Sequence, residues 1–214
     1  RRRAALAARM GDGALLVLGA REPAEDYQSF VQTPRMEYLT GFREPNAALV
    51  IVRKGADVTS MLFVEPREPA REVWTGTRAG PLGAAEATGL ATRTAPELQH
   101  ALDSLGSVVS TLYVVANASS RDDEGTPMTL DDQFVRALER RRPALKITPF
   151  NREVDKLRGT KSEAELALIQ RSAAITVEAQ RVAMRAIRPG MNEFEIQAMI
   201  EYTFRRRGAD RPSF

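Results

Sequence analysis

The apolar positions of the chain change period several times. Within residues 1–10, Leu6 and Met10 share one helical face, and Gly11-Asp12-Gly13 ends that pattern before the unbroken apolar run Ala14 to Leu18. A short helix followed by a buried strand is expected. Two β-branched runs, Ala47 to Val52 and Val58 to Val64, flank Arg53-Lys54-Gly55-Ala56-Asp57, the length and composition of a hairpin connection, so they should pair antiparallel. Thr94-Ala95-Pro96-Glu97 predicts a helix start in which Thr94 caps, Pro96 sits in the first turn and Glu97 reaches back. Leu98, Ala101, Leu102 and Leu105 then form its apolar face. Thr111 to Val115 predicts a strand, Thr129 to Arg140 a helix carrying Phe134, Val135 and Leu138, and Lys146 to Thr148 a last short strand before Pro149. This mixture predicts a layered α/β domain with a mixed, partly antiparallel sheet flanked by helices.

The texture changes near Asn151. Ser162-Glu163-Ala164-Glu165 is a capping box, and Leu166, Ile169, Ala173, Val177, Met184 and Ile187 follow at helical spacing until Arg188-Pro189-Gly190. Asn192-Glu193-Phe194-Glu195 opens a second helix in the same way, with Ile196, Met199, Ile200, Thr203 and Phe204 leading to Gly208. The two helices are too long and too regularly amphipathic for a compact DNA-recognition unit. The reading divides the chain into residues 1–150 and 151–214.

Composition narrows the function classes. The 214 residues are 43% hydrophobic and 28% charged, the range of ordinary folded proteins. The pI of about 9.5 invites a nucleic-acid reading, but 31 basic residues against 28 acidic leave a net charge of only +3. The arginine runs 1–3, 140–142 and 205–207 each fall at an expected helix end, and no aromatic residues interleave them as stacking platforms would. No nucleic-acid partner is expected. The absence of cysteine excludes disulfides, zinc ribbons and thiol catalysis. No stretch of 18 apolar residues occurs and the first residues lack an apolar core, so neither a membrane partner nor secretion is expected; the expected location is cytoplasmic.

Catalytic chemistry does not close within these residues. His100 is the only histidine, which rules out a two-histidine zinc site, and its helix makes it a surface or capping side chain. Asp122, Asp123, Glu124, Asp131 and Asp132 resemble metal ligands by type. Their setting, among Ser119, Ser120, Gly125 and Pro127 or at a helix start, favours a solvated loop and a complement to the helix dipole. The glycines from Gly76 to Gly83 form no strand-to-helix phosphate cradle.

A family resemblance runs through nearly the whole chain. Arg1 to Leu6, then Tyr38-Leu39-Thr40-Gly41-Phe42 with Glu44-Pro45, then Glu72-Val73-Trp74-Thr75-Gly76-Thr77-Arg78 resemble successive segments of the aminopeptidase P N-terminal domain. Leu157 to Glu165, Arg188-Pro189-Gly190-Met191 and Gly208 to Phe214 resemble the entry and next landmarks of the pita-bread catalytic domain. The resemblance implies a creatinase/prolidase-type N-terminal domain over 1–150, then a linker and the first two helices of a truncated pita-bread domain over 151–214. It implies a metallopeptidase that releases the N-terminal residue preceding proline, acting with two divalent ions, usually manganese. The family's ligands, two aspartates, a histidine and two glutamates, are expected beyond Phe214, so this chain should hold no catalytic or metal residue and be inactive alone. Peptides with proline second, and a homo-oligomer of two or four subunits, are the implied partners. Trp74 matches a tryptophan that in tetrameric relatives projects toward a neighbouring subunit's active site; a core tryptophan is the alternative. Tyr38 and Phe42 are expected in the core. A prolidase or creatinase shares the pita-bread fold, but the segment from Glu72 to Arg78 favours aminopeptidase P. A stand-alone interaction module is the reading outside enzymes; the end at Pro212-Ser213-Phe214, just after a helix C-cap, argues against it.

Overall fold

The structure, a computed structural model, describes residues 1–24, 28–117 and 128–212. It forms two compact units, Arg1–Gly159 and Thr160–Phe214.

The first unit is a three-layer sandwich around a six-stranded sheet. In chain order its elements are α1 (Arg2–Ala7), β1 (Gly13–Leu18), α2 (Pro34–Thr40), β2 (Ala48–Lys54), β3 (Asp57–Val64), α3 (Pro69–Thr75), α4 (Gly80–Thr88), β4 (Ala91–Thr94), α5 (Glu97–Leu105), β5 (Thr111–Val115), α6 (Leu130–Arg141), β6 (Lys146–Pro149) and α7 (Asn151–Gly159). The strand order is β4-β3-β2-β1-β5-β6. β2 runs antiparallel to both neighbours, in a register that sets Gly13 opposite Arg53 and Leu18 opposite Ala48, while the β1–β5, β3–β4 and β5–β6 pairs are parallel. The expected β2–β3 hairpin is present, closed by Gly55-Ala56.

The unbroken apolar run of β1 follows from its central place, since both faces of that strand are covered. Leu15 and Val17 join Leu49, Ile51, Leu62 and Val115 in one core, beneath Leu6 of α1, Met36 and Leu39 of α2 and Val154 of α7. Ala14, Leu16 and Leu18 face the other way, onto Phe63, Leu112, Leu102 of α5 and Leu138 of α6. Phe42 is buried and Tyr38 packs at the edge of the first core, as expected of both.

Several local expectations change. Thr94 ends β4 and does not cap α5, whose N-cap position is Pro96; the Glu97 carboxylate still reaches back, accepting from the Thr94 amide and hydroxyl at 2.9 and 2.7 Å. Asp131 and Asp132 lie in the first turn of α6, where they complement its dipole as expected, but they are buried. Asp132 closes a capping box with Thr129, and Asp131 accepts from the Asn117 amide at 2.9 Å. The helices α2, α3 and α4 and the strand β4 carry too weak an apolar period to be read from sequence. The compact units divide after Gly159, later than the change of texture at Asn151, because α7 lays Val154 into the first core.

The second unit is a helix pair, α8 (Glu163–Ala186) and α9 (Glu193–Arg206), each opened by the expected capping box, Ser162 with Glu165 and Asn192 with Glu195. Ala179, Ala183, Thr203 and Phe204 are buried, and Arg207 donates to Glu178 through Nε and Nη2 at 2.9 and 2.6 Å. Leu166, Ile169, Val177, Met184 and Ile187, the apolar residues at helical spacing along α8, are exposed.

Candidate functional site: a clasped helix presenting Trp74

Trp74 lies on α3 and is 86% exposed, which removes the core alternative; Val73, its neighbour in sequence, and Leu82 on α4 are 80% and 83% exposed. The chain is helical on both sides of the turn that follows Trp74. Glycines at 76 and 80 separate α3 from α4, and Gly83 lies inside α4.

No residue of α3 is buried, so apolar packing does not fix it. Polar contacts do. Arg67, just before the helix, donates to the Glu72 carboxylate through Nε and Nη2 at 3.0 and 2.7 Å, a bidentate pair that specifies direction as well as distance. That pair, together with a hydrogen bond from the Arg78 backbone amide, holds the Glu72 carboxyl below the usual glutamate range. Beyond α3, Gly76 takes φ 78° and ψ 165°, a conformation open in practice to glycine alone, and turns the chain toward α4. Gly80, at φ 59°, lies so close to the Arg67 stem that an added Cβ would meet Cγ at 2.7 Å.

Two further glutamates tie this segment to the sheet. Glu44 Oε1 accepts from the Ala79 amide at 2.8 Å. Glu22 Oε1 pairs with Arg78 Nη2 at 2.6 Å and Oε2 with Arg71 Nη2 at 3.3 Å. The segment Tyr38 to Pro45 is thus joined through Glu44 to Ala79, the residue after Glu72 to Arg78, although the two segments are distant in sequence. The cleft between α3 and residues 44–45 and 65–66 is about 30 Å³, room for a water and not for a peptide. What α3 offers is a surface.

Elsewhere the ionisable groups are committed to structure. A wider cavity of about 350 Å³ opens at the ends of β1 and β3, lined by Leu18, Gly19, Ala47, Glu65, Asp131 and Phe134, but its buried acid, Asp131, is already held by Asn117 and by Arg21 at 3.6 Å. His100 is exposed on α5. Asp122, Asp123 and Glu124 lie outside the described residues. Among the described residues no three of histidine, aspartate and glutamate come together in a group that could hold a metal ion, so they do not fit a two-metal centre. Trp74 is marked by a family motif, and Glu44, Glu72 and Arg78 fall within such motifs, but Glu22, Arg67 and Arg71 fall in none. Only their signs, acid and base outside any apolar pattern, could have marked them.

The family model of the aminopeptidase P N-terminal domain matches residues 1–113, from α1 into β5, and therefore takes in the whole Trp74 platform. This chain belongs to the aminopeptidase P family. The model of metallopeptidase family M24 matches residues 167–214, covering most of α8 and all of α9. Xaa-Pro aminopeptidase of Escherichia coli (strain K12) is 30% identical over 222 residues, covering 100% of this chain and 50% of the relative. Xaa-Pro aminopeptidase 3 of Mus musculus is 30% identical over 191 residues, 85% of this chain and 36% of the relative. The solved structure of zinc-substituted E. coli aminopeptidase P in complex with product superposes with a TM-score of 0.84 at 28% identity, over 100% of this chain and 50% of that one. A Bacillus anthracis structure at 22% identity and a TM-score of 0.89 bears on the fold alone. The chain spans about half the length of the E. coli relative it matches. The family's N-terminal domain is thus the mixed α/β sandwich, and Trp74 is on its surface.

Proposed function

We propose that this chain is the N-terminal portion of a proline-specific metalloaminopeptidase, which releases the N-terminal residue preceding proline. The observation that carries the reading is the paired match, an aminopeptidase P N-terminal domain followed in order by the start of a family M24 metallopeptidase. The described residues do not fit a two-metal centre, so the reading assigns the divalent ions, manganese by preference, to the part of the relatives that this chain does not span. Those ions would supply the activated water for peptide hydrolysis. The N-terminal unit would contribute assembly and substrate gating. Its exposed Val73, Trp74 and Leu82 support a contact with another subunit of a cytoplasmic homo-oligomer, where the flat indole suits a proline ring.

The test is hydrolysis by the full-length protein, manganese-loaded, of tripeptides that differ only in having proline or alanine second. Cleavage before proline, with none by residues 1–214 alone, is expected. Preference for the alanine peptide, or activity of the 214-residue chain, would overturn the assignment. Cleavage of Xaa-Pro dipeptides but not tripeptides would replace it with a prolidase.

A further inference from the structure

The contacts around α3 single out one residue that no motif contains. We propose that Glu22 is a positioning residue, gripping the chain on both sides of Trp74 and fixing the pose in which the indole is presented; its catalytic consequence rests on the proposed role of Trp74. Arg71 lies before the tryptophan on α3 and Arg78 after it in the turn to α4, and the two oxygens of the Glu22 carboxylate hold one each, at 3.3 and 2.6 Å. Arg78 is the better shielded of the two arginines.

Glu22 is itself held from the sheet side. Its backbone amide donates to Asn46 Oδ1 at 3.2 Å, and Asn46 adopts a left-handed φ of 57°, rare outside glycine. The Asn46 amide donates to the Ala20 carbonyl at 2.8 Å. The Ala20 amide in turn donates at 2.8 Å to Oε1 of the buried Gln32, whose Nε2 donates to the Glu44 carbonyl at 2.9 Å. Glu22 and Glu44 therefore leave one hydrogen-bonded base and reach the Trp74 segment at 71, 78 and 79. Because no residue of α3 is fully buried, this base and the Arg67–Glu72 pair are what oppose its movement.

Glu22→Gln removes the charge and keeps the size. Since no apolar contact is lost, the variant should fold with unchanged strand protection. In the 214-residue chain, amide exchange at 70–79 should accelerate about two- to thirtyfold relative to β1 and β5, the range spanned by two partly exposed ion pairs. Trp74 is the only tryptophan in this sequence, so its fluorescence anisotropy should fall as the indole gains freedom. Salt at 1 M should loosen 70–79 by a larger factor in the unaltered chain than in the variant, because the Glu22 pairs are among those it screens while the Arg67–Glu72 pair is weakened in both. In the full-length enzyme, KM for Xaa-Pro peptides should rise with kcat little changed, and Trp74→Ala should abolish the effect of Glu22→Gln. Unchanged exchange and anisotropy would overturn the positioning role whatever the kinetics. Faster exchange with unchanged KM would keep that role and instead overturn the substrate role of Trp74.

Discussion

If α7 belongs to the first unit, as its packing implies, then ending the chain at residue 150 should damage that unit far more than ending it at 159. Truncation at 150 deletes Val154, which is wholly buried against α1 and α2, and burial of a valine contributes about 1.5–3 kcal/mol. It also deletes Asn151, whose side-chain amide donates to the Ala116 carbonyl at 2.9 Å and accepts from the Ala116 amide at 3.1 Å, for about 0.5–1.5 kcal/mol each. The Arg35–Asp155 pair is bidentate, but it is partly exposed and adds less than about 1 kcal/mol after screening. The loss is then about 3–6 kcal/mol, a large share of the 5–15 kcal/mol by which domains are ordinarily stable. Urea unfolding followed by far-UV circular dichroism is the assay; Trp74 fluorescence is a poor one, since the indole is exposed in both states. With m near 2 kcal/mol/M, the midpoint of 1–150 should lie about 1.5–3 M below that of 1–159. Val154→Ala within 1–159 should account for about 1.5–2.5 kcal/mol of it. Equal midpoints for the two truncations would refute the assignment of α7 to this unit.

Other consequences are separable by experiment. Trp74→Ala should change stability by no more than about 0.5 kcal/mol, because the side chain is exposed, yet lower kcat/KM of the full-length enzyme on Xaa-Pro peptides about three- to tenfold; thermal melts and kinetics on one preparation check both. Thr129→Ala removes the hydroxyl that accepts from the Asp132 amide at 3.1 Å and should cost about 1 kcal/mol in urea unfolding. Phe63→Ala empties a buried place in the second core and should cost about 3–5 kcal/mol by the same measurement. Acid should loosen α3. Because Glu72 is depressed in the folded state by its hydrogen bond to Arg67, the unfolded chain binds its proton more readily, so this stabilisation is complete above about pH 4.3 and is lost as pH falls through the depressed value. Trp74 anisotropy should therefore drop on acidification before the strands unfold, and anisotropy constant up to global unfolding would contradict it.

What the sequence disclosed of the fold was decided by which elements bury a continuous face. β1 reads plainly because Ala14 to Leu18 are covered on both sides, and the β2–β3 pair because Gly55-Ala56 interrupts two β-branched runs. α8 and α9 announce themselves by capping boxes. β4 does not, since Ala91-Thr92-Arg93-Thr94 is an edge strand whose side chains are only half covered, and α3 does not, since it buries nothing. Thr94 was misassigned for a related reason: a threonine three residues before a glutamate is the pattern of a cap, and the same Glu97 contact forms here with the threonine still in the strand.

The site was legible only in the part that a family motif covers. Trp74 stands out because the segment from Glu72 to Arg78 resembles one of the aminopeptidase P N-terminal domain, and no hydrophobic period marks it. The residues that hold it are charged and lie at 22, 44, 67, 71 and 78, and no periodicity relates charges brought together by tertiary folding. An apolar platform would have left a stripe in the sequence and a rigid helix in the structure. A polar one leaves no stripe, and its hold weakens with salt and acid, because exposed ion pairs are screened while buried methyl groups are not. The same choice of chemistry therefore hides the platform from sequence reading and leaves the presentation of Trp74 adjustable by its surroundings.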